Sequence, residues 1–526
     1  MYEINFSSRI APSATSRAVH RLTRALLALV VITPTWVWAE DRRPAESEQR
    51  GLAAFPIEVV RGRRASPVVE PKPVEVTATP KVEARRFESD TSPRAKAFRA
   101  AATRLLNGAP LGAAAISVAV VDVKSGREVF AKEPALALNP ASVVKLFTSA
   151  VALDRLGPDH RFETAILVDG DTVFARGGGD PMLTQEELLA LVAEARKKLG
   201  TVRRVVVDAS AFGGASLPPG YGKKNTDAPY RASTAALALD SGVTELHIVP
   251  TTDGQPPKVI SVRPAGGYLL IKNEARTVQG PGATIRVRVR RQGERSEVVV
   301  TGRIGKRRKP MTFFRRIDAP GLAAGYVVAH ALGLGGQVSL GKTPPGAKLA
   351  ARRSSKPLRE ILAVLNKQSD NFIAETLVRS IPKTSGAHWE AGRAVVRQWL
   401  ADQVGLDPAR FSYQNGSGLY EGGRFSSHDV VRLLLAMDRH RHREVYRGSL
   451  SVAGQDGTLK SRLRDSGGRV LGKTGTLDQV SALAGYVRGR SGRWLAVSVL
   501  VNEPGKGARR FRGLQDQLVR LALELL

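Results

Sequence analysis

The chain has 526 residues, 42% of them hydrophobic, with a formal net charge of +32 and no cysteine. A chain of this length and composition can bury one or more cores. The lack of cysteine excludes disulfide bonds and cysteine-ligated zinc, so the stability of the protein must come from its core.

The N-terminal segment, 1–39, has the pattern of a secretory signal peptide. Basic residues within 20–24 precede an apolar run at 25–32, and small residues surround a predicted cleavage site after Ala39. The apolar run is shorter than the ~20 residues that a membrane-spanning helix needs. An uncleaved anchor is the alternative, which Pro34 disfavours. The segment therefore predicts an exported, periplasmic protein.

Residues 40–96 are rich in Pro, Glu, Arg and Val and show little periodicity, which predicts a flexible linker. From about Arg94 a helical pattern leads into two predicted strands, Ala115 to Val121 and Glu128 to Ala131. This hairpin is expected to pair with strands near the C-terminus.

The first motif that carries chemistry is Ser142-Val-Val-Lys145. If the stretch after Pro140 is helical, the hydroxyl and the amine project from one face, and Lys145 can take the proton of Ser142. A free lysine, with a pKa of ~10.4, is a poor base at neutral pH, so burial and a second cation must lower the pKa of Lys145. The apolar residues that follow predict a buried helix ending at Gly157. A lone lysine in such a helix, unlike one on a charged surface helix, needs a functional reason.

Residues 166–345 are rich in short valine-containing strands and in Gly and Pro turns, which predicts inserted β-rich domains of unassigned function. Alternating Arg and Val between Ile285 and Arg291 predict a strand with its arginine face in solvent, and a second basic cluster follows at 305–309. Anionic wall polymers or lipid headgroups are the expected partners, with a merely solvated face as the alternative. Nucleic acid is not expected, because the protein is exported and no aromatic residues are interleaved for base stacking.

Residues 336–343 match the P-loop pattern letter for letter. A P-loop must follow a strand and open a helix, however, whereas here a predicted helix, Ala323 to Leu332, precedes the pattern. Pro344 and Pro345 then disfavour the required helix, so nucleotide binding is not predicted. The eight histidines show no metal-ligand spacing, and neither a metal nor a cofactor is expected.

The second motif, Ser369-Asp370-Asn371, lies between two amphipathic helical patterns, Leu358 to Lys367 and Phe372 to Ser380. Taken alone, these residues would also suit an Asx turn or a helix N-cap. A hydroxyl and an amide in this turn can alternatively serve a catalytic site.

The third motif, Lys473-Thr474-Gly475-Thr476, precedes a predicted β-hairpin, Val480 to Val487 and Trp494 to Val501. Taken alone, it would suit a glycine turn that enters a strand. Lys473 is the candidate for the second cation near Lys145. Because all three motifs occur in one order, with both lysines in apolar or glycine-rich settings, together they predict one serine acyl-transfer site.

The set S-x-x-K, S-D-N and K-T-G resembles the penicilloyl serine transferases. The spacing between the motifs is similar to that of the low-molecular-mass class C penicillin-binding proteins, the D-alanyl-D-alanine carboxypeptidase/endopeptidases. The resemblance covers approximately residues 97–526. Asn415 departs from it, because the family usually has Asp before Gly-Ser-Gly. Further stretches that agree are Asn139-Pro140-Ala141-Ser142, Leu156-Gly157-Pro158-Asp159, Gly179-Asp180-Pro181, Gly416-Ser417-Gly418-Leu419, Asp456-Gly457-Thr458-Leu459 and Val480-Ser481-Ala482-Leu483-Ala484-Gly485-Tyr486.

The resemblance implies an α+β fold, with a β-lactamase/transpeptidase-like domain in which an antiparallel sheet is flanked by helices. The catalytic domain is then expected to comprise residues 97–165 and 346–526, closed by a last helix from about Arg509, with the β-rich domains inserted at 166–345.

The resemblance also implies five catalytic residues. Ser142 would be the nucleophile and Lys145 its general base. Ser369 would relay a proton to the leaving amine, and Asn371 would hydrogen-bond the substrate backbone. Lys473 would hold the terminal carboxylate of the substrate and lower the pKa of Lys145.

The remaining residues of the third motif are implied to bind substrate, with Thr474 and Thr476 contacting the carboxylate beside Gly475. The backbone N–H groups of Ser142 and Thr476 would form the oxyanion hole. The substrate would be the D-Ala-D-Ala end of peptidoglycan stem peptides, and β-lactams, which resemble that dipeptide, would acylate Ser142.

Two alternatives remain open. A β-lactamase would need a positioned base for deacylation, and no residue of the sequence identifies one. A catalytically weak peptidoglycan-binding scaffold would have no physical need for all five catalytic residues.

Overall fold

The computed structural model describes residues 87–526, except Asn225, Glu421, Pro504 and Lys506. The predicted signal peptide, 1–39, and most of the predicted linker lie outside the described residues. In the described part of the chain, no helix is long and apolar enough to cross a membrane.

The chain before the inserted region forms a helix, a hairpin and a second helix. They are α1 (Pro93–Asn107), β1 (Ala115–Asp122), β2 (Glu128–Lys132), a 3₁₀ turn (Ala141–Val143) and α2 (Val144–Leu156). Helix α1 begins where the Ser92 side chain accepts a hydrogen bond from the Ala95 N–H. Helix α2 ends at Gly157, whose φ of 86° suits glycine, as the sequence predicts.

The inserted region consists mainly of strands. Its elements are β3 (Glu163–Asp169), β4 (Thr172–Gly177), α3 (Gln185–Arg196), β5 (Arg204–Asp208), β6 (Val243–Val249), β7 (Lys258–Arg263), β8 (Leu269–Asn273), β9 (Arg276–Val278), β10 (Arg286–Gln292), β11 (Arg295–Thr301), β12 (Arg303–Gly305), β13 (Met311–Arg316), α4 (Pro320–Ala331), β14 (Val338–Leu340) and β15 (Lys348–Ser354). The strands form sheets of order β14-β5-β4-β3-β15, β13-β6-β7, β10-β11-β8 and β12-β9. Their inner side chains pack with α3 and α4 in one hydrophobic cluster. The predicted boundary between residues 165 and 166 falls inside β3, and β15, which pairs with β3, lies after the predicted end of the insertion at residue 345. The domain division itself stays a prediction.

The P-loop-like pattern does not form a phosphate-binding turn. Strand β14 lies within it, and the next element is another strand, β15, so no helix begins at Thr343. The Thr343 N–H instead donates to Asp208 Oδ2 at 2.8 Å. The stretch therefore lacks the strand-loop-helix arrangement of a P-loop.

The rest of the chain adds helices and the remaining strands of the central sheet. These elements are α5 (Leu358–Gln368), α6 (Asn371–Ser380), α7 (Trp389–Trp399), α8 (Ser427–Arg439), α9 (Arg443–Gly448), β16 (Ser451–Val452), β17 (Val470–Leu477), β18 (Val480–Arg488), β19 (Trp494–Asn502) and α10 (Arg512–Leu525). The central sheet has the order β16-β17-β18-β19-β1-β2, and each neighbouring pair is antiparallel. Strand β1 pairs with β19, with Ala115 opposite Asn502, so the two predicted hairpins do join in one sheet.

Helices cover both faces of this sheet. Residues of α2, α5, α6, α7 and α8 form one hydrophobic cluster on one face, and residues of α1 and α10 form another on the opposite face. Strand β18 is therefore apolar along nearly its whole length, because neither of its faces meets water. This is the predicted α+β arrangement, and it places the end of β17 beside the start of α2.

A buried arginine ties helix α6 to the inserted region. Arg379 is 2% exposed and donates to the carbonyl and hydroxyl of Thr234 and to the carbonyl of Gly213. Its guanidinium lies 4.7 Å from the ring centre of Phe212 and 5.0 Å from that of Trp389. Burial lowers the pKa of Arg379 to about 10, so the side chain stays charged at neutral pH and relies on these carbonyls and rings.

We expect the Arg379→Ala substitution to lower the free energy of unfolding by about 3 kcal/mol, because buried carbonyl acceptors lose their donor and two ring faces lose a cation. Calorimetric and urea-induced unfolding would measure the change. Arg397→Ala, at an exposed position of α7, is the control and should alter stability by less than about 0.5 kcal/mol. Equal effects of the two substitutions would contradict a role of Arg379 in joining the two regions.

Candidate active site

The structure brings the first motif together as a serine and a buried amine. Ser142 lies half-buried in the 3₁₀ turn, and Lys145 lies in the first turn of α2 with no exposed surface. Lys145 Nζ is 3.0 Å from Ser142 Oγ, 2.7 Å from Asn371 Oδ1 and 2.7 Å from the Ser417 carbonyl oxygen. A neutral amine has two N–H groups and one lone pair. With the amide and carbonyl oxygens taking the two N–H groups, the lone pair faces the serine hydroxyl.

The Asn371 amide is held in the orientation that this arrangement needs. Its Nδ2 donates to the Tyr230 carbonyl at 3.0 Å, which leaves Oδ1 to face Lys145. Asn371 therefore contacts the base directly, a contact that the sequence did not predict.

Burial is the main cause that makes Lys145 a usable base. It lowers the pKa of Lys145 to about 7, while the carboxylates of Glu375 and Asp370 oppose that fall. The pKa of Lys473 is lowered well below its usual value by burial and by the neighbouring charge of Lys145. The charge of Lys145 thus disfavours the charge of Lys473, whereas the fall in the pKa of Lys145 itself is caused by burial.

The second and third motifs meet at Lys473. Its Nζ, fully buried, donates to Ser369 Oγ at 2.8 Å and to the Thr474 carbonyl at 2.8 Å. Ser369 directly follows α5 as its C-cap, with a φ of 61°. Asp370 caps α6 by accepting a hydrogen bond from the Ile373 N–H at 2.8 Å. Asp370 therefore forms the helix cap that the sequence allowed, while Asn371 contacts Lys145 and Ser369 contacts Lys473.

Thr474 and Thr476 alternate along β17 and are both half-buried. Two residues apart on a strand, they share one face. Thr476 Oγ1 accepts a hydrogen bond from Arg512 Nη2 at 3.2 Å. Hydroxyl groups and a cation thus line the strand that follows Lys473.

Two glycines let the backbone close around the turn that carries Ser142. A Cβ atom at Gly475 would collide with the Pro140 carbonyl oxygen, and one at Gly418 would collide with the Ala141 carbonyl oxygen. Gly418 also has a φ of 71°, which favours glycine. The turn that carries Ser142 is therefore pressed between β17 and the 416–418 segment.

Two asparagine side chains form hydrogen bonds with the backbone of the same turn. Asn139 Oδ1 accepts a hydrogen bond from the Ala141 N–H at 2.9 Å, which supports the positive φ of 45° at Ala141. Asn139 and Asn502 are joined by two hydrogen bonds of 2.9 Å, from the Asn139 N–H to Asn502 Oδ1 and from Asn502 Nδ2 to the Asn139 carbonyl. The end of β19 thereby fixes the start of the nucleophile turn.

Sequence reasoning missed three residues that contact the site. Glu375 lies on α6, and Tyr221 and Tyr230 come from the inserted region. The available signal for Glu375 was an acidic residue within the apolar face of α6, one turn after Asn371. The two tyrosines gave no local signal. In the described part of the chain, no group of three or more His, Asp or Glu side chains could hold a metal ion.

The chain was compared with protein families and known proteins. The model of the D-Ala-D-Ala carboxypeptidase 3 (S13) family matches residues 99–525. The chain is 34% identical over 452 residues to a D-alanyl-D-alanine carboxypeptidase of Actinomadura sp. strain R39, covering 80% of this chain and 83% of that protein. It is 27% identical to carboxypeptidase DacB of Mycolicibacterium smegmatis, covering 85% and 88%.

A solved structure of penicillin binding protein 4 (dacB) from Haemophilus influenzae superposes with a TM-score of 0.67. The match has 22% sequence identity and covers 80% of this chain and 97% of that one. At this identity the match establishes a shared fold, and the predicted fold class is thereby confirmed.

We expect Gly475→Ala to slow the acylation of Ser142 about 100-fold, because the added Cβ pushes the turn at Pro140 away from β17 and misplaces the nucleophile. Labelling with a fluorescent penicillin over time would measure the rate. Gly423→Ala is the matched control, since its Cβ would meet Val144 Cγ2 at 3.5 Å, an ordinary contact. An unchanged rate in the Gly475 variant would show that the close approach is not needed.

Proposed function

The chain belongs to the D-Ala-D-Ala carboxypeptidase 3 (S13) family, and we propose that Ser142 is the nucleophile with which it removes the terminal D-alanine of peptidoglycan stem peptides. That family is the one that the three motifs predicted. The observation that carries the residue assignment is the 3.0 Å contact between Ser142 Oγ and the buried Nζ of Lys145. A pKa of about 7 gives this amine the basicity that the reaction needs at neutral pH.

In the acylation step, neutral Lys145 takes the proton of Ser142 as Oγ bonds to the carbonyl carbon of the penultimate D-alanine. The N–H groups of Ser142 and Thr476 stabilise the oxyanion, an interaction usually worth ~3 to 4 kcal/mol for each donor. The C–N bond then breaks, and the proton reaches the leaving amine of D-alanine through Ser369. Water hydrolyses the resulting ester and restores Ser142.

The third motif binds the carboxylate of the terminal D-alanine. Lys473 supplies the charge, and the hydroxyl groups of Thr474 and Thr476 supply hydrogen bonds, while Gly475 allows the strand to approach the nucleophile. The 2.8 Å contact between Lys473 Nζ and Ser369 Oγ supports this role. It places the residue that binds the carboxylate next to the residue that relays the proton. A bound carboxylate stabilises the charge of Lys473, so substrate binding holds a cation beside Lys145 and favours its neutral form.

The same site accepts related acyl donors. A β-lactam presents a carbonyl carbon and a carboxylate in similar positions, so it acylates Ser142 and leaves slowly. The same acyl-enzyme can form when a D,D cross-link between stem peptides is cleaved, which makes endopeptidase activity the second candidate.

The N-terminal pattern supports export to the periplasm with cleavage after Ala39, ahead of the predicted linker at 40–96. Export would bring the active site to its peptidoglycan substrate.

Incubation of the purified protein with a fluorescent penicillin, followed by denaturing electrophoresis and intact mass, tests the nucleophile. We expect a stable adduct that is lost in Ser142→Ala, and release of D-alanine from a pentapeptide by the unaltered protein only. Consumption of the β-lactam without an adduct would indicate a β-lactamase. No adduct, with the β-lactam intact, would indicate a catalytically weak scaffold that binds peptidoglycan. A cross-linked dimer of stem peptides, assayed in parallel, separates carboxypeptidase from endopeptidase activity.

We also infer that the inserted region binds a phosphate-rich anionic surface, either wall polymer or lipid headgroups. On β10, Val287 and Val289 are buried, while Arg286, Arg288 and Arg290 are exposed, so the arginines share the outer face. The Thr284 N–H donates to the Arg303 carbonyl at 2.8 Å, which brings the second basic cluster alongside. We call these residues the basic surface; its exposed members are Arg286, Arg288, Arg290, Arg291, Arg303, Lys306, Arg307, Arg308 and Lys309.

We expect the double substitution Arg286→Ala/Arg288→Ala to weaken binding to vesicles containing phosphatidylglycerol, or to isolated anionic wall polymer, about tenfold at low salt. Co-sedimentation at several salt concentrations would measure it and identify which of the two ligands binds. The control Arg94→Ala/Arg397→Ala removes the same charge from exposed positions elsewhere. Equal binding by both variants would indicate that the basic surface is only exposed to solvent and does not bind these anionic ligands.

A further inference from the structure

Glu375 is a buried carboxylate to which neither the motifs nor the reaction assigns a role. It lies on α6 one turn after Asn371 and is 1% exposed. Its neighbours on the helix include the buried residues Ala374 and Val378. A buried carboxylate is costly unless hydrogen bonds compensate for its lost hydration. A structural or electrostatic role of Glu375 would explain why this carboxylate is buried.

The hydrogen bonds of Glu375 go to the turn that follows Asn415. Its Oε2 accepts from the Gly416 N–H at 3.0 Å, and its Oε1 accepts from the Ser417 N–H at 2.9 Å. The Tyr221 hydroxyl lies 3.3 Å from Oε1. A Cβ atom at Gly416 would lie 2.6 Å from the Ala374 carbonyl oxygen, so glycine is required for the turn to come this close to α6. Glu375 thus fixes a turn that is already pressed against its own helix.

The Gly416-Ser417 turn also contacts Lys145, the proposed base. The Ser417 carbonyl accepts the hydrogen bond from Lys145 Nζ, at 2.7 Å. The Gly416 carbonyl accepts from Thr148 Oγ1 at 2.7 Å, one turn further along α2. The carboxylate of Glu375 therefore reaches the catalytic amine through a single peptide segment, with no other side chain between them.

We propose that Glu375 is a positioning residue for Lys145, which it serves by holding the Gly416-Ser417 turn so that the Ser417 carbonyl accepts one N–H of the amine. The inference rests on the proposed role of Lys145 as the base. Asn371 orients the second N–H, and Glu375, on the same face of α6, orients the first. One helix thereby aims the lone pair of the lysine at Ser142.

The charge of Glu375 has a second effect on the same amine. The groups facing Lys145 are Glu375 on α6, Asp370 at the start of that helix and Lys473 on β17. Burial raises the pKa of Glu375. Of the two carboxylates, Glu375 and Asp370, Glu375 opposes the fall in the pKa of Lys145 more strongly. Removal of its charge should therefore lower the pKa of Lys145 below about 7.

Two substitutions distinguish the effect of the length of the Glu375 side chain from the effect of its charge. Glu375→Gln keeps the length and one accepting oxygen, removes the charge, and places an NH₂ group opposite one of the two backbone N–H groups. Glu375→Asp keeps the charge but withdraws both oxygens from the turn. The rate of penicillin acylation, measured from pH 5 to pH 9 by stopped flow, rises as Lys145 loses its proton. For the unaltered protein we expect this rise near pH 7, and for Glu375→Gln we expect it about one pH unit lower. For Glu375→Asp we expect the plateau rate to fall about 100-fold.

Asp429→Asn is the control, because this acid is also buried but belongs to the N-terminal cap of α8. Its pH profile should coincide with that of the unaltered protein. A Glu375→Gln profile that also coincides, or a Glu375→Asp plateau equal to that of the unaltered protein, would overturn the proposal. If Glu375→Gln does not fold, the plateau acylation rate of Glu375→Asp alone tests the proposal. Absence of acylation in the unaltered protein would instead overturn the proposed function, so the two failures are distinguishable.

Discussion

The structure depends on keeping a lysine amine out of water without leaving it short of hydrogen-bond partners. Burial, partly opposed by the charges of Glu375 and Asp370, brings the pKa of Lys145 to about 7. A buried amine without acceptors, however, would be too costly to maintain. The fold meets this requirement with one side-chain oxygen, from Asn371, and one backbone oxygen, from Ser417. Both come from segments fixed by α6. The helix that bears the second motif therefore controls the geometry of the first.

The inserted region is part of this arrangement. Its Tyr230 carbonyl orients the Asn371 amide, and its Tyr221 hydroxyl contacts Glu375. Arg379, at the far end of α6, is anchored to carbonyls of the same region. Helix α6 is thus held along its length by residues that the sequence separates from it by more than one hundred positions. A stable insertion is consequently a condition for an ordered base as well as a surface for further contacts.

The sequence predicted the features that depend on local pattern or on a recognisable motif. Periodicity located α2, β18 and β19, and the alternation of Arg and Val located β10, because burial of one face leaves a regular imprint. The motif residues were predicted to converge, and they do. The contacts of Tyr221 and Tyr230 could not be predicted, because they arise from packing between distant segments. The predicted start of the insertion fell inside β3 for a related reason: β3 pairs with β15 on the far side of the inserted chain.

The two hydrogen bonds between Asn139 and Asn502 have a consequence for how the protein matures. The turn that carries Ser142 is completed by a strand whose Asn502 lies 363 residues after Asn139. Strand β1 likewise pairs with β19 only once that later strand has been made. Contacts between such distant parts of a chain form late in folding. A nascent chain therefore cannot complete the turn at Ser142 before β19 has been made, so the acylating activity cannot begin until that strand is in place.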